Sequence, residues 1–510
     1  MGKRITAVLM ALCMVIALCM TGCASQAEPA DVATEAPEAA AQAPETAAQT
    51  PDAPEQAAPK YVFYMIGDGL GAAQRQLTEY YVQHQSGDAG KKLLINTFPV
   101  AGMNTTHSLD TLVTDSAAAA TALATGYKTN NGLIAVDTAG GDLSTIVEEA
   151  MTEREMATGL VSTTRITHAT PASFASHNLD RNDENGIAAD FVDSGVDFFA
   201  GGGLRHFIPA EFSTEELDAA GQGIKSKRED DRNLFEEFEA EGYTTFFGRE
   251  GAESFAGYQP AAGDKVFAAF TYTHIPYELD RMNNDEIVVP SLAEMTEKAV
   301  ELLSTDEDGF VLMVEGGRID HACHANDPLG AIYDTIAFDD AVQVAYDFYM
   351  QHPEETLVLV VGDHETGGLG MGFGDNYFIN CDALDNVKVS VEDVLQYVYD
   401  GDRDAFYAYI AENCGLTDLT EDETALIEKA MDDIAAAEET GEGPVGYSYY
   451  NPAAIAVTHI LSERANVQWT TYAHSGTAIP MSAIGNSADA FGGYKDNTEI
   501  GLSLFDVMGM

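Results

Sequence analysis

Gly309-Phe310-Val311-Leu312-Met313-Val314-Glu315-Gly316-Gly317-Arg318-Ile319-Asp320-His321-Ala322-Cys323-His324 is the stretch on which the fold of this 510-residue chain turns. Its short apolar run, introduced by a glycine, has the length and composition of a strand buried on both faces. Glu315 then stands at the carboxyl end of that strand. Asp320 and His324 follow within a short loop or helical turn, so two oxygen donors and an imidazole arrive together. That mixture suits zinc, or zinc beside magnesium. Alone, it equally fits a strand-ending carboxylate and two histidines on a wet helix face, because most polar residues are surface residues. The metal reading needs matching ligands elsewhere in the chain.

Such ligands follow other apolar runs. Tyr61–Ile66 leads into Gly67-Asp68-Gly69-Leu70-Gly71. Asp68 therefore lies at a strand end, where open α/β sheets collect their ligands, and is available to bridge two cations. The glycine spacing is not G-x-G-x-x-G, which argues against nucleotide binding. Leu357–Val361 runs into Gly362-Asp363-His364-Glu365, a further strand end carrying a carboxylate and an imidazole. Tyr472-Ala473-His474-Ser475-Gly476 adds one more imidazole in a loop of small residues.

Val113-Thr114-Asp115-Ser116-Ala117-Ala118 opens an alanine-rich helix capped by Asp115 or Ser116. Ser116 is a candidate nucleophile there, since helix N–H groups and the helix dipole can hold a phosphate and zinc can activate a hydroxyl. Ala157–Ser162 reads as another strand, followed by Thr167-His168-Ala169-Thr170-Pro171. Pro171 biases Thr170 away from helix and keeps its hydroxyl in a loop. Arg181 has the planar fork suited to gripping two phosphate oxygens.

The chain carries 25 Lys+Arg against 83 Asp+Glu, a formal net charge of −58. Such a surface repels nucleic acid and anionic membranes, so nucleic-acid binding is not expected. Residues 1–23 read as a leader: Lys3 and Arg4 precede an apolar segment, and Met20-Thr21-Gly22-Cys23 resembles a bacterial lipoprotein processing box with Met20 in place of the usual Leu. The resemblance implies lipid attachment at Cys23 and an extracytoplasmic working domain; an uncleaved anchor or ordinary secretion is the alternative. Residues 24–59 are rich in Ala, Pro, Glu, Gln and Thr and read as a flexible tether. Residues 376–450 read as an acidic, mostly helical insertion without obvious chemistry, with Thr420-Glu421-Asp422-Glu423 as a capping box. Outside the leader, Cys323, Cys381 and Cys414 allow at most one disulfide, and Cys381 with Cys414 is the candidate pair.

From about Lys60 to its end the chain resembles the alkaline phosphatase family. The resemblance rests on I-G-D-G-L-G, T-D-S-A-A, T-H-A-T-P-A, E-G-G-R-I-D-H-A-C-H, G-D-H-E-T-G-G and A-H-S-G in that order, and on the closing D-N-T-E-I. It implies an α/β fold, a three-layer sandwich with a large, mostly parallel sheet flanked by helices. It also implies hydrolysis of phosphate monoesters through a phosphoserine at Ser116, with Arg181 on the phosphate. By motif, Asp320, His324 and His474 would hold one zinc ion and Asp68, Asp363 and His364 a second. Asp68, Thr170 and Glu315 would reach a magnesium ion, with His168 and His321 beside it, as in the animal enzymes. Cys323 receives no ligand role. A homodimer is the commonest assembly of the family. A phosphodiesterase or sulfatase of the same general fold, and a non-catalytic surface lipoprotein, are the competing expectations.

Overall fold

The computed structural model describes residues 57–440, 443 and 445–510. The expected leader, Cys23 and all but the last three residues of the expected tether lie outside the described residues. Among the described residues no helix is long and apolar enough to cross a membrane.

Ten strands build one sheet. In chain order they are β1 (Tyr61–Gly67), β2 (Val100–Asn104), β3 (Ala157–Arg165), β4 (Phe198–Gly202), β5 (Tyr243–Phe247), β6 (Lys265–Ala269), β7 (Phe310–Gly316), β8 (Thr356–Gly362), β9 (Ile479–Gly485) and β10 (Gly493–Lys495). Across the sheet the order is β10-β2-β9-β8-β1-β7-β3-β4-β6-β5, and every pairing is parallel except those that β9 makes with β8 and β2. Strand β1 is apolar along its length, and β7 and β8 are so apart from Glu315 and Thr356, because both faces are covered. Val62, Tyr64 and Ile66 join a core with Ala117, Leu123, Ile500 and Leu504, whereas Tyr61, Phe63 and Met65 join one with Met295, Ala299, Phe338 and Ala341. Helices Ser116–Thr125 and Asn497–Met508 thus cover one face, and helices Leu292–Leu303 and Pro328–Tyr349 the other. This is the expected three-layer arrangement.

The register of the central strands fixes the height of the site. Gly67 of β1 pairs with Gly316 of β7 and with Gly362 of β8, so three neighbouring parallel strands end level. Asp68, Glu315 and Asp363 therefore come out at one edge, on strands spaced about 4.8 Å apart.

The acidic segment differs from its expected form. Helices Arg403–Asn413 and Glu421–Thr440 are present, and the Thr420–Glu423 capping box forms. Between 376 and 402, however, the only helical pieces are two short 3-10 turns, Cys381–Leu384 and Leu395–Tyr397. There the backbone turns on itself in short loops and is also held by the core: the N–H groups of Ser390 and Val391 donate to Asp280 and Asp327. The segment packs through Leu384, Leu395, Phe406 and Ile427 against Leu77, Leu329 and Ile332. Cys381 and Cys414, the candidate disulfide pair, are both free thiols.

Candidate metal and phosphate site

Four short elements carry the site at the level ends of β1, β7 and β8. Asp68 follows β1 through a turn in which Gly69 has φ +71, and a Cβ on Gly69 would stand 2.8 Å from the Cα of Asp320, so only glycine fits. Glu315 lies within β7, Asp320 and His324 on helix Arg318–His324, and Asp363 and His364 just past β8. The structure brings Asp68, Asp363, His364 and Ser116 together. Nε2 of His364 is 3.3 Å from Asp68 Oδ1, 3.2 Å from Asp363 Oδ2 and 3.2 Å from Ser116 Oγ.

Thr366 donates its hydroxyl hydrogen to Asp320 Oδ1, so towards Nδ1 of His364, at 3.2 Å, it accepts. The His364 proton is then on Nδ1 and Nε2 is bare. Burial, followed by the neighbouring His474, keeps this imidazole neutral by pushing its pKa well down. A bare nitrogen thus faces two carboxylates, and Asp68 Oδ1 and Asp363 Oδ2 are buried without any hydrogen-bond partner. Donors about 2.0–2.1 Å from a tetrahedral zinc stand about 3.3–3.4 Å apart, which is the spacing observed. The donor set fits a cation.

Asp320, His324 and His474 form a second group. His324 Nδ1 donates to the Tyr472 carbonyl and His474 Nδ1 to the Thr114 carbonyl, each at 2.7 Å, which turns both Nε2 atoms inward. These nitrogens are 3.2 Å apart and lie 3.3 and 3.6 Å from the Asp320 carboxylate. Burial opposes a charge on His324, but Asp320 prevails and pushes it up to about 9, so a proton and a cation compete for this nitrogen. His364 lies close enough to join Asp320 and His474 as well, its ring stacked on that of His474 at 3.5 Å.

The third group gathers around Glu315. Its Oε2 accepts hydrogen bonds from Ser162 and Thr164, while Oε1 is buried and unpartnered. Thr170 donates to Asp68 Oδ2 at 3.5 Å. Contrary to the expected loop, Thr170 sits in the first turn of helix Ala169–Ala175. Pro171 is tolerated there because first-turn N–H groups have no helical partner to lose. His168 joins Asp68 and Glu315 in the same cluster. Its Nε2 receives Arg181 Nη2 at 3.2 Å, so its proton is on Nδ1, which is buried and unpartnered. Glu315 Oε1, buried without a partner and clustered with Asp68, is an open carboxylate oxygen that a hydrated hard cation, the form in which magnesium usually binds, would take.

Carboxylates dominate this space. Burial, together with Asp363, Asp320 and Glu315, pushes Asp68 well up, and burial also raises Glu315 to about 7. Arg181 is the cation on the open side. Asp115 holds its Nη1 at 2.9 Å and caps helix Ser116–Thr125 through the Ala118 N–H, so nucleophile and guanidinium share one anchor.

Several contributors had no signal in the sequence. Ser162 and Thr164 reach Glu315 only through the pairing of β3 with β7, and Thr366 sits in a motif whose role reads from its charged members. Arg318 and His274 pack against His321. The acidic segment, expected to lack chemistry, supplies Glu392 and Asp393 beside Arg318.

The family model described as alkaline phosphatase matches residues 59–510. Alkaline phosphatase 3 of Bacillus subtilis (strain 168) is 33% identical over 452 residues, covering 88% of this chain and 89% of that protein. The crystal structure of Thermus thermophilus alkaline phosphatase superposes with a TM-score of 0.74 at 27% identity, covering 89% of this chain and 92% of that one. A variant of the alkaline phosphatase from the Antarctic bacterium TAB5, solved with Mg bound, matches at TM-score 0.59 and 25% identity over 89% of this chain and 99% of its own.

Proposed function

The chain belongs to the alkaline phosphatase family and is a phosphatase, and from that premise we propose that it hydrolyses phosphate monoesters through a phosphoserine at Ser116. The carrying observation is the convergence of Ser116 Oγ, Asp68 and Asp363 on the bare Nε2 of His364. In this reading Asp320, His324 and His474 hold one zinc ion, and Asp68, Asp363 and His364 a second. Asp68, Thr170 and Glu315 hold magnesium, with His168 and His321 beside it. When bound, the three ions supply Lewis acidity and fixed positive charge for a phosphate dianion.

Arg181 grips two phosphate oxygens with the fork that Asp115 aims. Ser116 Oγ attacks phosphorus in line as its proton passes to solvent; the P–O bond to the ester oxygen breaks, and the departing alkoxide takes a proton from water, so that an alcohol and the Ser116 phosphoester result. Water then attacks the phosphoserine from the vacated side, returning the Ser116 hydroxyl and inorganic phosphate. Arg181 and the backbone around helix Ser116–Thr125 are in place before reaction, so the transition-state charge is met without reorganisation. The working domain is extracytoplasmic, tethered through residues 24–59 to a lipid on Cys23, and assembles as a homodimer; lipid labelling of the Cys23→Ser variant and light scattering test these two points.

The decisive experiment pairs metal analysis of the purified enzyme with assays on p-nitrophenyl phosphate and bis(p-nitrophenyl) phosphate. Two zinc ions and one magnesium with turnover of the monoester support the reading. Faster turnover of the diester replaces it with a phosphodiesterase.

A further inference from the structure

In Gly362-Asp363-His364-Glu365-Thr366-Gly367-Gly368, Glu365 is the acid to which the site gives no part. It is 4% exposed, yet both its oxygens are fully used. Oε1 accepts from Gln74 Nε2 at 2.7 Å and from the Leu369 N–H at 3.1 Å. Oε2 accepts from the Gly368 N–H at 3.2 Å and from the Ser475 hydroxyl. Two carboxylate oxygens that each take two donors keep no lone pair for a cation. Hydrogen bonds to a charged acceptor are roughly twice as strong as neutral ones, so this carboxylate is a strong tie between whatever its donors belong to.

They belong to three separate segments. Gln74 is buried in the first turn of helix Ala72–Ser86, which begins directly after the Asp68 turn. Its Nε2 also donates, at 2.8 Å, to the carbonyl of Thr366, the residue whose hydroxyl holds Asp320. Gly368 and Leu369 lie in the loop that follows β8 and His364. Ser475 comes from the loop of His474: the pair Glu365-Thr366 runs antiparallel to His474-Ser475, with Ser475 opposite Glu365 and His474 opposite Thr366. His364 and His474 are therefore the chain neighbours of two side chains joined by one hydrogen bond, and their own rings stack at 3.5 Å. The fold also clears space for the carboxylate. A Cβ on Gly71 would stand 2.4 Å from Cγ of Glu365 and 2.6 Å from Oε1 of Gln74, so any side chain there would force the two apart.

Resting on the two-zinc reading of this site, we propose that Glu365 is a positioning residue whose carboxylate ties the His474 strand to the His364 loop and to the helix behind Asp68, and so holds His474 in place for zinc. The two zinc groups depend on this tie unequally. Asp363 and His364 directly follow a central strand of the sheet, and Asp363 Oδ1 accepts from the Gly69 N–H at 3.2 Å. Asp320 and His324 share one helix. His474 alone arrives on a two-residue strand, with its Nδ1 on the Thr114 carbonyl and the Ala473 carbonyl accepting from the Gly367 N–H at 2.9 Å. Loss of the Glu365 acceptor leaves buried donors on all three segments unsatisfied, and the segment with the fewest other holds moves most.

The test reads zinc binding by the full-length protein in competition with a chromogenic chelator, with zinc ion itself as the probe. Glu365→Gln keeps the size of the side chain but turns a donor towards groups that need an acceptor. It is expected to weaken one zinc site on the order of tenfold or more, the usual scale for a residue that orients a metal ligand, and to leave the other nearly unchanged. The weakened site is the one that His474→Ala abolishes. Ser475→Ala weakens that site by less, and its effect does not add to that of Glu365→Gln. Excess zinc restores kcat to Glu365→Gln, which a merely structural role would not allow. Unaltered zinc affinity, equal weakening of both sites, or additive losses in the double variant would each overturn the proposal. If Glu365→Gln does not fold, Ser475→Ala decides, because full zinc affinity in that variant is incompatible with the tie. A parent protein that binds no zinc would sink the metal reading of the site, whereas a parent with two zinc ions and unaffected variants would sink the role of Glu365 alone.

Discussion

Ser116 Oγ stands 3.2 Å from Nε2 of His364, the atom on which Asp68 and Asp363 also converge. The hydroxyl is the first side chain of its helix, and alanine at that position keeps helix propensity and cap intact. Ser116→Ala is therefore expected to lose turnover on the order of a thousandfold or more while retaining its fold and bound metal. Acid-quenched enzyme exposed to labelled phosphate shows the covalent label in the parent and none in the variant. Undiminished turnover by Ser116→Ala would remove the covalent step.

Asp115 ties the nucleophile's helix to Arg181 through one carboxylate. Asp115→Asn keeps an N-cap acceptor but loses the charged anchor, so Arg181 gains freedom and pays more entropy on each binding event. KM for p-nitrophenyl phosphate and the inhibition constant for inorganic phosphate should both rise about tenfold, with kcat changing less. A drop confined to kcat would show that Asp115 acts on Ser116 and not through Arg181.

Metal removal should cost stability as well as activity. Asp68, Glu315 and Asp363 are fully buried together, each with an oxygen lacking a hydrogen-bond partner. Ligands that bind only the native state stabilise it by about 4 kcal/mol per site at a thousandfold excess over Kd. Scanning calorimetry with and without chelator is expected to show a lower Tm for the stripped protein, restored by zinc and magnesium. An unchanged Tm would mean that the carboxylate cluster is satisfied without cations.

How much of this was legible in the chain depends on which residue is asked. Asp68, Glu315 and Asp363 are legible as a set, because three apolar runs that each end in a carboxylate beside glycine point to one site, although each alone also reads as a turn or strand-ending residue. Their equal height is not: it follows from Gly67 pairing with both Gly316 and Gly362, a register set by distant segments. Hydroxyl groups were the least readable. Ser162 and Thr366 look like ordinary polar residues until pairing sets them on Glu315 and Asp320. Thr170 was misread because the rule for residues before proline weakens in the first helical turn. Glu392 and Asp393 were hidden by their surroundings, two acids in a long acidic segment, and only the fold sets them against the buried Arg318.

The net charge of −58 sets a barrier to dianionic substrates that salt should lower. Screening reaches about 10 Å at 0.1 M ionic strength, so repulsion from the wider surface fades while the enclosed cations and Arg181 keep their hold. kcat/KM for p-nitrophenyl phosphate is expected to rise with moderate concentrations of a non-chelating salt, and kcat to stay nearly level. A flat or falling kcat/KM would mean that the local field of the site outweighs the exterior.

His177 supplies a pH dependence separate from the site. Its Nδ1 lies 2.8 Å from the Ala135 carbonyl and its Nε2 2.8 Å from Glu148 Oε1, so only the doubly protonated ring satisfies both acceptors. The hydrogen bond to Glu148 leads in raising His177 to about 9, against the cost of burial. Because the folded pKa lies above the unfolded one, near 6.5, the native state binds the proton more tightly. The stabilisation is complete below about pH 6.5, declines as pH rises from there, and is gone above about 9. Glu148 also closes the capping box of helix Ile146–Arg154, so loss of the His177 charge loosens a helix packed on the sheet. The Tm of the metal-loaded parent should fall between pH 7 and 9.5 by more than that of His177→Gln, the two curves meeting at the alkaline end. Parallel curves across that range would show that His177 is neutral in the native protein throughout.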